Sequence, residues 1–121
     1  MSTIVAMGGG VFSMEPDNPL LDDWLLSLPG KAAPKICFLP TASGDAREYI
    51  ARFHDAFDDR PCQPAHLSLF RREVTDLRAF VLGQDIVYVG GGNTANMLAI
   101  WRVHGLDVVL REAWQAGVVL A

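Results

Sequence analysis

Apolar and polar positions alternate along this chain in two different periods. Continuous apolar runs occur at Thr3–Met7 (TIVAM), Lys35–Leu39 (KICFL), Pro64–Phe70 (PAHLSLF), Asp85–Val89 (DIVYV) and Val118–Ala121 (VVLA). Runs of this length without internal polar alternation fit strands covered on both faces, as in a parallel sheet. They predict strands or strand-like segments near residues 3–7, 35–40, 65–70, 85–90 and 118–121. Between them the apolar residues recur at helical spacing. Leu20, Leu21, Trp24, Leu25 and Leu28 mark a helix over 19–28. Tyr49, Ile50, Phe53 and Phe57 mark one over 46–57. Leu77, Phe80 and Val81 mark 75–82, Met97, Leu98, Ile100 and Trp101 mark 93–103, and Val109, Leu110, Ala113 and Trp114 mark 106–116. Gly117 is a natural stop for the last of these. Strand and helix alternate throughout, which predicts an α/β domain with a mostly parallel sheet and helices on both faces.

Composition narrows the function classes. Hydrophobic residues make up 50% of the 121, ample for a packed core, and charged residues 20%, ordinary for a folded soluble chain. The net charge of −4 disfavours a nucleic-acid or anionic-membrane surface. The one local basic spot, Phe70-Arg71-Arg72, reads as a solvated strand end. Cys37 lies in an apolar run and reads as a core thiol. Cys62 lies in a loop, and two cysteines at this spacing make neither a zinc site nor a disulfide scaffold. No metal or cofactor is expected. The N-terminus lacks the pattern of a signal peptide, and no apolar run approaches the ~20 residues of a membrane span, so a cytoplasmic location is expected.

In open α/β sheets ligands bind at the carboxyl ends of strands. Three predicted strands end in glycine- or hydroxyl-rich loops: Gly8-Gly9-Gly10, Thr41-Ala42-Ser43-Gly44-Asp45 and Gly90-Gly91-Gly92-Asn93-Thr94. The last opens a helix, with Asn93 and Thr94 as candidate caps. Amides at a helix N-terminus favour negative charge, so this loop is a candidate anion or oxyanion site, although such a cluster also serves as a plain tight turn. The first is not a dinucleotide fingerprint, because Ser13 stands where the third glycine belongs. Asp45 reads most simply as the cap of the next helix. His54 is expected on a helix surface, His66 in a strand and His104 at a helix end, none paired with a nucleophile. Asp22, Asp23, Asp55, Asp58 and Asp59 read as solvated helix faces.

Taken together, MGGGVFSMEPDNPLLDDW, ICFLPTASGD, YIARFHDAF and DIVYVGGGNTANMLAIWRVHGLDVVLREAWQAGVVLA resemble the peptidase E and cyanophycinase family of serine hydrolases, on its peptidase E-like branch. The resemblance implies a flavodoxin-like fold of the class I glutamine amidotransferase type. It also implies that the strand at Val118–Ala121 leads into a Gly-x-Ser-Ala-Gly nucleophile turn, with the serine about three residues past Ala121 and the histidine and acid further on. Residues 1–121 are then the N-terminal half of one hydrolytic domain, cut before the nucleophile. By the same resemblance Gly92 supplies an oxyanion-hole donor. Gly91, Asn93 and Thr94 border the substrate pocket, with Gly9, Gly10 and Ser43 in further walls. The implied substrate is a small peptide, with an N-terminal aspartate as one option. Arg47 is a conceivable partner for that aspartate, although a helix-surface role suits it better. The isolated chain is expected to be inactive and to associate with the missing C-terminal half or with itself. The alternative is a noncatalytic α/β ligand-binding or interaction module.

Overall fold

In the computed structural model, which describes residues 2–8, 11, 12 and 14–121, the elements follow in order. They are α1 (Leu20–Ser27), β1 (Lys35–Leu39), a 3-10 turn at Thr41–Ser43, α2 (Arg47–Phe57), β2 (Gln63–His66), α3 (Leu77–Leu82), β3 (Ile86–Val89), α4 (Thr94–His104), α5 (Leu106–Gln115) and β4 (Val119–Leu120). The four strands form one parallel sheet in the order β2-β1-β3-β4. Among the described residues no helix is long and apolar enough to cross a membrane.

The continuous apolar runs are continuous because each strand is covered twice. Side chains alternate across a strand. Ile36 and Phe38 of β1, with Ile86 and Tyr88 of β3, face one core shared with Leu25 and Leu26 of α1 and Phe53 and Phe57 of α2. Cys37, Leu39 and Val87 face the opposite core, which is built from α3, α4 and α5. The first core is an aromatic cluster in which Phe38 stacks on Phe53 at 4.8 Å and Phe12 meets both rings edge-on at 5.8 Å.

Three expectations need correction. Residues 3–7 do not form a full strand. Ile4 makes a single parallel bridge to Leu120, with the Val5 amide donating to Leu120 (2.7 Å) and the Leu120 amide to Thr3 (3.1 Å). The segment lies beyond β4 at the sheet edge, and Ile4 remains 64% exposed. The third strand lies earlier than 65–70, at Gln63–His66. Pro64 is tolerated there because β2 is the other edge of the sheet, where a lost amide need not break a ladder. Finally, α1 buries Asp22, Leu25 and Leu26, while Leu20, Leu21 and Trp24 of the expected stripe are exposed.

Candidate functional site: the glycine loop at the carboxyl end of the sheet

The chain leaves β1 through α2 on one face to reach β2, then returns through α3 on the other face to β3, on the far side of β1. The carboxyl ends of β1 and β3 thus flank a topological switch point, where α/β sheets open a crevice. The turn after β1 and the glycine loop after β3 meet there.

The turn after β1 is held from several directions. The amides of Ser43 and Asp45 both donate to the Pro40 carbonyl, and the Gly44 amide donates to Thr41. The Ser43 hydroxyl donates to Pro40 (2.8 Å) and accepts from the Ala46 amide (3.3 Å). Thr41 is buried, and its hydroxyl accepts the Trp101 indole N–H at 3.1 Å, which fastens α4 to the turn. Asp45 is not the helix cap expected from its position. That place belongs to Ala46, which makes no side-chain cap bond. Asp45 instead takes a φ of 54° and accepts the amides of both Leu69 and Phe70 at 3.0 Å. It ties the β1–α2 loop to the β2–α3 loop.

The three glycines after β3 have different reasons to be glycine. The Gly90 amide donates to Leu39 at 3.0 Å, and a β-carbon on Gly90 would lie 2.9 Å from the Phe38 ring. The Gly91 amide donates to the Tyr49 hydroxyl at 3.1 Å, while a β-carbon there would meet open space. Gly92 has a φ of 146°, and a β-carbon would fall 2.2 Å from the Ala42 oxygen. Only glycine lets the two loops approach this closely. The approach is sealed by the Asn93 amide donating to that Ala42 oxygen at 2.8 Å. Asn93 also caps α4, its side chain accepting the Asn96 amide at 3.0 Å, and exposed Thr94 opens the helix.

Of the three glycine amides, only that of Gly92 finds no acceptor among the described residues. It lies on an exposed loop at the N-terminus of an 11-residue helix, whose dipole favours negative charge nearby. The end of β4 lies beside the end of β3. The Ala121 amide donates to Val87 (2.9 Å), and the Ala121 carbonyl accepts from Val89 (2.7 Å), the residue before the glycine loop. Ser43, Gly92 and Asn93 are therefore gathered around Ala42, with Gly91 and Thr94 adjoining them in the chain. Gly9 and Gly10 lie outside the described residues. Tyr49 and Ala42 complete the arrangement. Neither carries a local signal, since Tyr49 reads as one more residue of an apolar helix face.

The histidines and Asp22 make their contacts with other residues. His54 and His66 are brought together, with Nε2 of one 2.9 Å from Nδ1 of the other, and His54 also bonds Asp58 at 3.3 Å. Burial, with His54 beside it, lowers the basicity of His66. Among the described residues neither ring bonds a serine or cysteine. His104 ends α4 as expected and contacts Arg72 at 3.4 Å. Asp22 departs from the solvated role expected of it. It is 1% exposed, and burial pushes its carboxyl above the ordinary range against the pull of Arg60, the Phe12 backbone and the Tyr88 hydroxyl. Among the described residues no group of three His, Cys, Asp or Glu side chains could hold a metal ion.

Comparison with known proteins bears on family and fold. The uncharacterized peptidase YgaJ of Bacillus subtilis (strain 168) is 56% identical over all 121 residues, which correspond to 53% of its own length. The crystal structure of a candidate peptidase E from Listeria monocytogenes EGD-e superposes with a TM-score of 0.66 at 21% identity, over 84% of this chain and 50% of that one. At that identity the likeness shows the fold. The chain thus spans about half the length of the relatives it matches. The profile of peptidase family S51 matches residues 4–121, and the chain belongs to that family.

Proposed function

We propose that residues 1–121 are the N-terminal half of a single α/β hydrolytic domain of a serine peptidase acting on small peptides, and that Gly92 supplies one backbone donor of its oxyanion hole. The observation that carries this reading is the unengaged Gly92 amide, held at a helix N-terminus three residues after Val89, whose amide bonds Ala121. An oxyanion hole needs a donor fixed in place before charge develops. The Ala42 contact fixes Gly92, and Asn93 and Thr94 border the space in front of it. A nucleophile carried on a turn after Ala121 would emerge next to the glycine loop, because Ala121 is already bonded to Val89. The amide of Gly91 is engaged by Tyr49, so Gly91 contributes shape to the pocket rather than a donor. The Ser43 hydroxyl is engaged by its own turn and acts as wall, not nucleophile. The partner of this half is the segment that carries the nucleophile, histidine and acid. Without it the half is inactive and self-associates. Unpaired Cys37 and Cys62 suit a reducing, cytoplasmic compartment.

The test is covalent labelling of the polypeptide that continues past Ala121 with a fluorophosphonate, followed by peptide mapping. We expect one labelled serine within a few residues of Ala121, loss of peptide hydrolysis on labelling, and no labelling of residues 1–121 alone. A labelled Ser43, or full hydrolysis in a protein that takes up no label, overturns the reading.

A further inference from the structure

A cavity of about 480 Å³ opens at the carboxyl end of β2. It is bordered by the Gly44–Asp45 corner rather than by the Ala42 contact that holds Gly92, and no residue of the glycine loop lines it. Its frame is fixed. The Asp45 carboxylate accepts the Leu69 and Phe70 amides from across the gap, so the β1–α2 and β2–α3 loops are bound to each other at its edge.

The cavity has an apolar part and a cationic part. Ile50, Leu67 and Val74 supply apolar wall, and the Phe70 ring stands 55% exposed beside them. Arg47, at the first position of α2, and Arg71 supply two guanidinium groups. Neither arginine forms an ion pair or a side-chain hydrogen bond among the described residues. Arg72 is engaged by the Val74 and Thr75 carbonyls, Arg60 by Asp23 and Arg78 by Glu112. The negative charge nearby is unequal in effect. One oxygen of Asp45 accepts two amides and the other is shut off from solvent, so this carboxylate borders the cavity with half of its charge engaged by backbone amides and, like Glu73, opposes an anion. Glu73 is exposed and opposes an anion.

We propose that this cavity binds a small organic carboxylate with an apolar or aromatic body, the carboxylate held by Arg47 and Arg71 and the body by Phe70 and the apolar wall. Guanidinium forks match carboxylates in geometry as well as charge. The volume is in the range of small-molecule sites, and the apolar wall gives an organic acid an advantage over a bare inorganic anion. The inference does not depend on the peptidase reading, since it uses none of the residues that reading assigns a catalytic or donor role.

The test is calorimetric titration of the purified protein with hydrocinnamate, its neutral amide hydrocinnamide and inorganic phosphate. We expect saturable binding of hydrocinnamate, at least about tenfold weaker binding of the amide and of phosphate, and loss of affinity at high salt. Arg47→Gln and Arg71→Gln should each weaken hydrocinnamate about tenfold or more, as loss of a charge-assisted bond requires. Glu73→Gln should tighten it, and Arg102→Gln, on α4, should leave it unchanged. All four side chains are exposed, and unchanged circular dichroism melts will show that the variants fold. No saturable binding, equal binding of acid and amide, phosphate binding as tightly as the acid, or wild-type affinity in both arginine variants overturns the proposal.

Discussion

Gly92→Ala tests the physical core of the glycine loop. A β-carbon at this position would fall 2.2 Å from the Ala42 oxygen and 2.4 Å from its carbonyl carbon. Both are backbone atoms, so no side-chain rotation can relieve the overlap. The φ of 146° adds a backbone cost of about 1–3 kcal/mol for any residue with a side chain. Moving the loops apart also lengthens the 2.8 Å bond from the Asn93 amide to Ala42, worth about 0.5–1.5 kcal/mol. Together these predict a loss of about 2–4 kcal/mol, a large part of a domain's roughly 5–15 kcal/mol. The control is Gly91→Ala, one residue away, where a β-carbon meets nothing within 4 Å and φ is not positive. It should fall within about 0.5 kcal/mol of wild type. Urea unfolding of the three proteins, followed by circular dichroism, reads the difference directly. If both variants lose the same stability, or Gly92→Ala loses less than about 1 kcal/mol, the close approach does not require glycine and the argument fails.

Three further outcomes follow from the same contacts. Burial raises the Asp22 carboxyl pKa in the folded state, so its contribution to stability is full below the unfolded value and is lost as pH rises through the folded one. Asp22→Asn should therefore gain stability over wild type near neutral pH and lose that gain toward pH ~4, in urea midpoints measured at both; an equal difference at the two would refute it. Asp45→Ala removes the acceptor of two amides and should cost about 2–3 kcal/mol, whereas Asp45→Asn keeps an acceptor and should cost under about 1 in the same assay. Burial pushes the Cys37 thiol up to about 12, and it is fully covered, so iodoacetamide should label Cys62 in the native protein and reach Cys37 only after unfolding, as read by mass spectrometry.

What the sequence determined is whatever local pattern encodes. The apolar runs at Lys35–Leu39 and Asp85–Val89 became β1 and β3 because a strand covered on both faces must be apolar at every position. The helices fell within a residue or two of their expected spans for the corresponding reason, a 3.6-residue period. Asn93 was legible as a cap because a cap depends on neighbours three residues away, and the glycine loop because strand-to-helix turns are local. The tertiary structure decided what depends on partners distant in sequence. Thr3–Met7 is as apolar as β1, yet its one bridge is to Leu120 of β4, so it lies outside the β2-β1-β3-β4 ladder, a neighbour choice that no local pattern encodes. Asp22 looks like any helix acid until Tyr88, 66 positions away, closes over it. Asp45 has the spacing of a cap, but the amides of Leu69 and Phe70 compete successfully for its carboxylate. Which glycine amide stays unengaged was likewise undecidable from GGGNT alone. Leu39 takes one and Tyr49 another, and Gly92 is left because its α-carbon is pressed against Ala42, in a turn some fifty residues earlier in the chain.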